Sequence, residues 1–151
     1  MKRFRFRLQR LLELSRKKEE AARRHLARAL AELTRVEKEE RAAEDRLGEQ
    51  TAAFLQTAAG AEVNPRLLQA YQRHIMLLEA GRRVARERCE KIERDVEDAR
   101  VALLETRREV LALDKARERA LETWKSEALR EELQTMEETA AYRARTKEDQ
   151  R

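Results

Sequence analysis

Apolar and small residues in the first third of the chain recur at intervals of three and four positions, with charged residues between them. This spacing is typical of a helix that buries one narrow stripe against a second helix. It predicts a first helix over about residues 4–58, in which Glu40 and Gln50 interrupt the stripe. The stripe consists of Phe4, Leu8, Leu11, Ser15, Ala22, Leu26, Ala29, Leu33, Val36, Ala43, Leu47 and Phe54.

A second stripe with the same spacing fills the rest of the chain and is more continuous than the first. It predicts a helix over about residues 65–145, followed by a frayed tail at 146–151. The members of this stripe are Leu68, Tyr71, Ile75, Leu78, Ala85, Cys89, Ile92, Val96, Ala99, Leu103, Thr106, Val110, Leu113 and Ala120.

Residues 59–64 separate the two stripes and predict a turn. Asn64 followed by Pro65 is a favoured start for a helix, with an N-cap and then a first helical residue. Because so short a connection makes neighbouring helices antiparallel, facing residue numbers should sum to about 123. Leu33 should then face Cys89, and Leu47 should face Ile75. The predicted fold class is all-α, a single domain over residues 1–151 that forms an antiparallel two-helix coiled-coil hairpin.

The second predicted helix is longer than the first and should overhang it at its carboxyl end. Beyond residue 120 it continues to present apolar side chains, for which the chain has no third helix. Exposed apolar stripes of this kind commonly bind partner proteins. The predicted overhanging stripe comprises Leu121, Trp124, Leu129, Leu133, Met136 and Ala140.

Composition supports long helices, because 43% of the residues are charged and the chain contains only three Gly and one Pro. Both signs of charge interleave along most of the sequence. Residues 1–28 differ, since eleven basic residues stand there against Glu13, Glu19 and Glu20, a net charge of +8. The amino end therefore favours an acidic partner surface.

The sequence contains no constellation typical of an enzyme, a metal site or a cofactor site. A di-iron helix pair needs Glu three residues before His, whereas Ala22 and Tyr71 precede His25 and His74. Cys89 is the only thiol, and its place in the second stripe favours packing over reactivity. We therefore expect no catalysis, no metal, no cofactor and no small-molecule substrate.

Two other binding classes follow from the basic, aromatic start of the chain. The segment over residues 2–7 could bind nucleic acid through phosphates and stacking, although the near-neutral remainder disfavours this. With Leu8, Leu11 and Leu12 it could instead lie on an anionic membrane surface, although the first stripe also needs these leucines. No apolar run approaches the length of a membrane span.

Several ordered motifs resemble those of the flagellar FliJ family. Residues 4–14 read Phe-Arg-Phe-Arg-Leu-Gln-Arg-Leu-Leu-Glu-Leu, similar to the run that opens the family's first helix, and Glu19, Glu20 and Ala22 follow. The central Tyr71, Gln72, Ile75, Leu78 and Glu79 also resemble the family pattern. So do the later segments over residues 113–119, 130–132 and 137–140. The resemblance covers the whole chain.

The resemblance implies a cytoplasmic stalk-like chaperone of the flagellar type III export apparatus, peripherally associated with the inner face of the membrane at the flagellar base. Its implied partners are the export ATPase, the cytoplasmic part of the export-gate membrane protein, and export chaperones. The equivalent stalk of a non-flagellar type III secretion system is the alternative.

Two sets of contact residues follow. For the gate, the resemblance implies Tyr71, His74, Ile75, Leu78 and Gly81. For the ATPase, charge and apolar anchors at the joined termini predict Arg3, Phe4, Arg5, Phe6, Arg7, Leu8, Arg10, Leu11, Leu121, Trp124, Leu129, Leu133 and Met136.

Overall fold

The computed structural model describes residues 3–148, except for the side chains of residues 144 and 146–148. It contains two helices, α1 (Gln9–Ala58) and α2 (Pro65–Glu148), and the described residues include no strand. The predicted all-α helical hairpin is confirmed. Helix α1 begins at Gln9 rather than near residue 4, and α2 continues to Glu148, past the expected start of the frayed tail. Residues 149–151 of that tail lie outside the described residues.

The turn between the helices occupies residues 59–64, and Asn64 caps α2 as its sequence position predicts. The Asn64 side-chain oxygen accepts hydrogen bonds from the backbone nitrogens of Arg66 at 3.1 Å and Leu67 at 3.4 Å. These bonds satisfy donors that the first turn of a helix leaves without intrahelical partners. At the other end of the connection, the Ala59 nitrogen donates to the Leu55 carbonyl at 3.0 Å and closes α1.

The chain divides into two compact units, and the first contains the turn. This turn unit, Glu20–Leu104, buries its stripe in the predicted heptad phase: Val36, Cys89, Val96 and Ala99 are all buried. Glu40 and Gln50 take half-buried positions within the stripe. Arg88 pairs with both Glu32 and Glu39, at 3.4 and 3.1 Å. The predicted antiparallel register places Arg88 opposite Arg35, which lies between these two glutamates, so the ion pairs agree with the register.

The second unit combines Met1–Glu19 with Glu105–Arg151, and we call it the terminal unit. Its core contains Leu12, Ser15, Val110 and Ala128. The assignment of Leu11 to the stripe was wrong, because Leu11 is 46% exposed whereas its neighbour Leu12 is fully buried. Four leucines lie between residues 8 and 14, so the spacing alone leaves more than one possible phase for the helix.

Pairing in the terminal unit also differs from the predicted register. Arg16 was expected to lie level with residue 107, but its guanidinium pairs with the Asp114 carboxylate at 2.8 Å. Both side chains are partly exposed, so the pair contributes at most about 1 kcal/mol to stability. The pair also reports the register. Residues near the start of α1 lie opposite positions of α2 that are closer to the carboxyl end of α2 than predicted.

Candidate partner-binding surfaces

The amino-terminal segment, residues 3–8, precedes α1 and alternates between covered and exposed side chains. Phe4 and Phe6 are half-buried, whereas Arg3, Arg5 and Arg7 are exposed. A two-residue alternation is the pattern of extended backbone, in which successive side chains point to opposite sides. The Gln9 nitrogen donates to the Phe6 carbonyl at 3.2 Å, and the helix begins there. The same alternation is visible in the sequence, where residues 3–7 read Arg-Phe-Arg-Phe-Arg. The prediction of helix from about residue 4 was therefore wrong for this segment.

Phe4 packs against Trp124 of α2, with ring centroids 5.9 Å apart and ring planes inclined at 58°. A tilted arrangement at this distance is favourable for two aromatic rings. The expectation that nothing in the chain covers Trp124 was therefore wrong. Trp124 is half-buried because the extended segment reaches a part of α2 that a helix starting at residue 4 would not have covered. Leu121 is half-buried as well.

Two surface grooves flank the amino-terminal segment, and arginines line both of them. The larger, about 660 Å³, lies among residues 4–8 and Ala120, Thr123, Trp124 and Glu127. The smaller, about 500 Å³, is lined by Phe4, Phe6, Gln9 and four arginines, Arg5, Arg7, Arg10 and Arg117. We call the two together the aromatic–basic groove. Its apolar floor and positively charged rim suit an acidic partner segment that carries an apolar side chain.

Leu8 and Leu11, also predicted as ATPase contacts, are exposed, as are Arg3 and Arg10. Of the predicted residues, the structure brings those of the amino-terminal segment to Trp124 of α2, whereas it leaves Leu129, Leu133 and Met136 uncovered.

Beyond Ala128, α2 presents an uncovered apolar surface. Leu129, Leu133 and Met136 are 58%, 52% and 68% exposed, and Ala140 is also exposed. These four residues form the overhang stripe. Ala128 is buried, so the covered and uncovered apolar positions lie on different faces of the same helix. Leu121 and Trp124 were predicted to belong to the overhanging stripe, but both are half-buried and belong with the covered residues.

The five residues predicted to contact the export gate lie on two different faces of α2 in the turn unit. Tyr71, Ile75 and Leu78 are half-buried within the stripe that faces α1, whereas His74 and Gly81 are exposed. A small groove of about 190 Å³ lies between Gln50 of α1 and Leu67, Ala70, Tyr71 and His74 of α2. Half-buried stripe residues can contribute to such a groove but offer little surface to a second protein.

Sequence reasoning missed an exposed apolar face at the same level of α2. Met76, Leu77 and Val84 are 68%, 71% and 65% exposed, and we call them the outer face. Leu77, Ala80 and Val84 follow one another at intervals of three and four, outside the stripe that packs on α1. This second spacing is the sequence signal that could have revealed the face.

The turn unit also holds a surface charge network. Arg35 pairs with Glu32 and Glu39 on α1, and Arg88 of α2 pairs with the same two carboxylates. The hydrogen bond from the Arg35 guanidinium lowers the pKa of the Glu32 carboxyl, and Arg88 lowers it further. The network links the helices, but its exposure to solvent limits what it contributes.

Cys89 is buried in the stripe, as its sequence position predicts. Burial raises the pKa of its thiol, and the nearby Glu40 carboxylate raises it further, so the unreactive neutral form is favoured. Within residues 3–148, no group of three or more His, Cys, Asp or Glu side chains is placed to hold a metal ion. Neither helix, over its described length, has an apolar stretch that could cross a membrane.

Comparison with known proteins gives one match. No curated protein and no solved structure matches the chain. A family model described as "Flagellar FliJ protein" matches residues 4–149. That range contains residues 4–8 of the amino-terminal segment, both helices and the overhang stripe. The chain therefore belongs to the FliJ family of flagellar proteins, which is associated with flagellar protein export.

Proposed function

We propose that this chain is a non-enzymatic, stalk-like chaperone of the flagellar export apparatus. It binds the export ATPase ring through its terminal unit and promotes assembly and activity of the ring. It also contacts the cytoplasmic part of the export-gate membrane protein and the export chaperones. It works in the cytoplasm, peripherally attached to the inner face of the membrane at the flagellar base. The family match supports this flagellar role over that of a non-flagellar stalk.

The observation that carries the ATPase contact is the combination of surfaces in the terminal unit. The aromatic–basic groove supplies four arginines around two phenylalanines, and the overhang stripe supplies three large exposed apolar side chains. Apolar anchors with adjacent charge are the usual energetic centre of a protein interface. Arginine on the rim steers an acidic partner and fixes its orientation.

We assign the gate contact to the outer face rather than to the stripe. Met76, Leu77 and Val84 are exposed on α2, whereas Tyr71, Ile75 and Leu78 are partly covered. His74 and Gly81 are also exposed, and Gly81 lies four residues after Leu77, so it allows a partner backbone to approach closely beside that leucine. A contact through Tyr71 or Ile75 would be limited to the part of each side chain that α1 leaves uncovered.

The test is the turnover of the cognate flagellar export ATPase with and without this protein. Wild type should raise the turnover, and a Leu133→Ala, Met136→Ala variant should raise it much less. Since both side chains are exposed, the variant should keep the helicity and thermal stability of wild type. The matched control is Met76→Ala, Leu77→Ala, which removes equally exposed side chains from the outer face and should stimulate like wild type.

A second variant tests the groove separately. Arg5→Glu with Arg7→Glu reverses two exposed charges and leaves Phe4 and Phe6 in place, so it should weaken ATPase binding most strongly at low salt. If wild type fails to stimulate a hexamer-competent ATPase, the stalk role is wrong. Steep salt-dependent binding to DNA in the same preparation would then support the nucleic-acid alternative.

A further inference from the structure

The overhang stripe has the spacing of a coiled-coil seam that lacks its second strand. Leu129, Leu133, Met136 and Ala140 follow at intervals of four, three and four, the alternation that keeps side chains on one face over several turns. The first three are more than half exposed. Since α2 is continuous through this region, the helix is already formed and a second helix could pack on it at no cost in helix nucleation.

Charged residues border this seam in a defined order. Arg130 and Glu137 lie on one side of the seam, and Lys125 and Glu132 lie on the other. Among the residues that the structure describes, neither Arg130 nor Glu137 has an ion-pair partner within 4 Å. Both charges are therefore available to a helix that docks on the stripe.

We propose that the overhang stripe binds a second copy of this chain in antiparallel orientation. With a two-fold axis between residues 134 and 135, Leu133 packs against Met136 of the second copy and Leu129 packs against Ala140. Arg130 of each copy then lies beside Glu137 of the other. Two-fold symmetry repeats each of these contacts, so one favourable charge pair becomes two.

The charges disfavour the parallel arrangement. In a parallel pair, each residue on the Lys125 side of the seam in one copy faces the residue five positions later, on the Arg130 side of the seam, in the other copy. Lys125 would then face Arg130, and Glu132 would face Glu137, each pair of like charge and each occurring twice. Only the antiparallel arrangement pairs opposite charges along this seam. This is why we assign the stripe to a second copy in that orientation.

The size of the seam sets the strength of the association. Four seam positions per chain span about three helical turns. So short a contact should bury less surface than the roughly 1,200 Å² at the lower limit of standard interfaces. We therefore expect a reversible dimer with a dissociation constant of about 10–100 µM, the range of a weak transient contact. The proposal goes beyond the export function and does not depend on it. If both hold, self-association covers the apolar residues offered to the ATPase.

Sedimentation equilibrium of the full chain, from about 5 µM to about 500 µM, tests the proposal around the expected constant. Wild type should pass from monomer to dimer over this range. A Leu133→Gln, Met136→Gln variant should remain monomeric. The control Val101→Gln, Leu104→Gln, which changes two exposed apolar residues outside every proposed binding surface, should dimerise like wild type. A wild type that stays monomeric throughout, or a control that loses association equally, would overturn the proposal.

Charge reversal decides the orientation. Arg130→Glu and Glu137→Arg, each alone, should weaken the antiparallel dimer about tenfold, because two exposed pairs change from attraction to repulsion. An equimolar mixture of the two variants restores both opposite-charge pairs and should dimerise like wild type. In a parallel dimer each single variant would strengthen association, so strengthening, or no change, contradicts the antiparallel arrangement. ATPase turnover plays no part in either measurement.

Discussion

The stripe of α2 that faces α1 and the overhang stripe are built from similar residues in similar spacing, yet they differ in burial. Val96, Ala99 and Val110 are buried, whereas Leu133 and Met136 are more than half exposed. The difference is the presence of a facing helix, not a change in sequence pattern. A heptad stripe therefore specifies that something should pack on it. Among the described residues, the amino-terminal segment contacts α2 at Trp124, whereas Leu133 and Met136 stay exposed.

The largest expected effect contrasts two neighbouring leucines of α1. Leu12→Ala should lower the free energy of unfolding by about 3 kcal/mol, because it leaves a cavity at a fully buried position. Leu11→Ala should change it by no more than about 0.5 kcal/mol, since that side chain is already largely in solvent. Urea denaturation followed by circular dichroism measures both. Equal losses for the two variants would mean that the phase of α1 at its start is wrong.

The free energy of unfolding should also be measured for a leucine of the overhang stripe, as a matched comparison with Leu12. Leu133→Ala removes as many carbon atoms as Leu12→Ala, but the monomer should lose almost no stability. The protein concentration should be kept well below that of self-association. A loss comparable to that of Leu12→Ala would show that the overhang stripe is already covered within the monomer.

The next effect concerns the aromatic contact at the boundary of the covered region. Phe4→Ala and Trp124→Ala should each destabilise the protein. A double-mutant cycle should give a coupling free energy of about 1 kcal/mol for rings packed at this distance. Thermal unfolding of the four proteins supplies the cycle. Purely additive losses would contradict a direct contact between the rings and would return Trp124 to the uncovered part of α2.

The sequence predicted the stripe of the turn unit almost residue by residue, because two heptad series converge there on one short turn and only Glu40 and Gln50 interrupt them. Asn64 and Pro65 located that turn by local chemistry, which does not depend on the rest of the fold. Prediction failed at the amino end for a different reason. Leucines crowd the first turns of α1, and the alternation that marks residues 3–7 as extended spans too few positions to compete with the helical pattern that follows.

Surface contacts were harder to predict than burial. The outer face carries Leu77 and Val84 in heptad spacing, but a stripe pattern does not reveal which of two stripes packs inside the molecule. Only the pairing of α1 with α2 shows that Tyr71 and Ile75 are partly covered. Exposure does not encode the identity of a partner, so the partners remain proposals. Their support is the match to a flagellar family and the charges that flank each surface.

A smaller effect is expected at two glycines within the helices. A β-carbon added at Gly48 or Gly81 would meet no atom within 4 Å, so either site has room for alanine. Gly48→Ala and Gly81→Ala should each stabilise the protein by about 0.5–1 kcal/mol, through the backbone entropy that glycine loses in a helix. For Gly81→Ala, stability and partner binding should change in opposite directions. This variant should raise the melting temperature and, by adding a methyl group beside the outer face, weaken binding of the proposed gate partner.

The smallest effect concerns acid and the charge network of the turn unit. The pKa of Glu32 is lowered in the folded protein, first by the Arg35 hydrogen bond, so the unfolded chain binds the proton more readily. The stabilisation is therefore present above the ordinary value of 4.5 and is lost as the pH falls through the lower folded value. Wild type should melt slightly above Glu32→Gln at pH 7, and the two should converge as the pH falls through the lowered folded value. Glu20→Gln, which removes the carboxylate that Arg24 pairs with inside α1, is the matched control for loss of an exposed ion pair. If the gap between wild type and Glu32→Gln persisted in acid, it would reflect packing of the side chain rather than its charge.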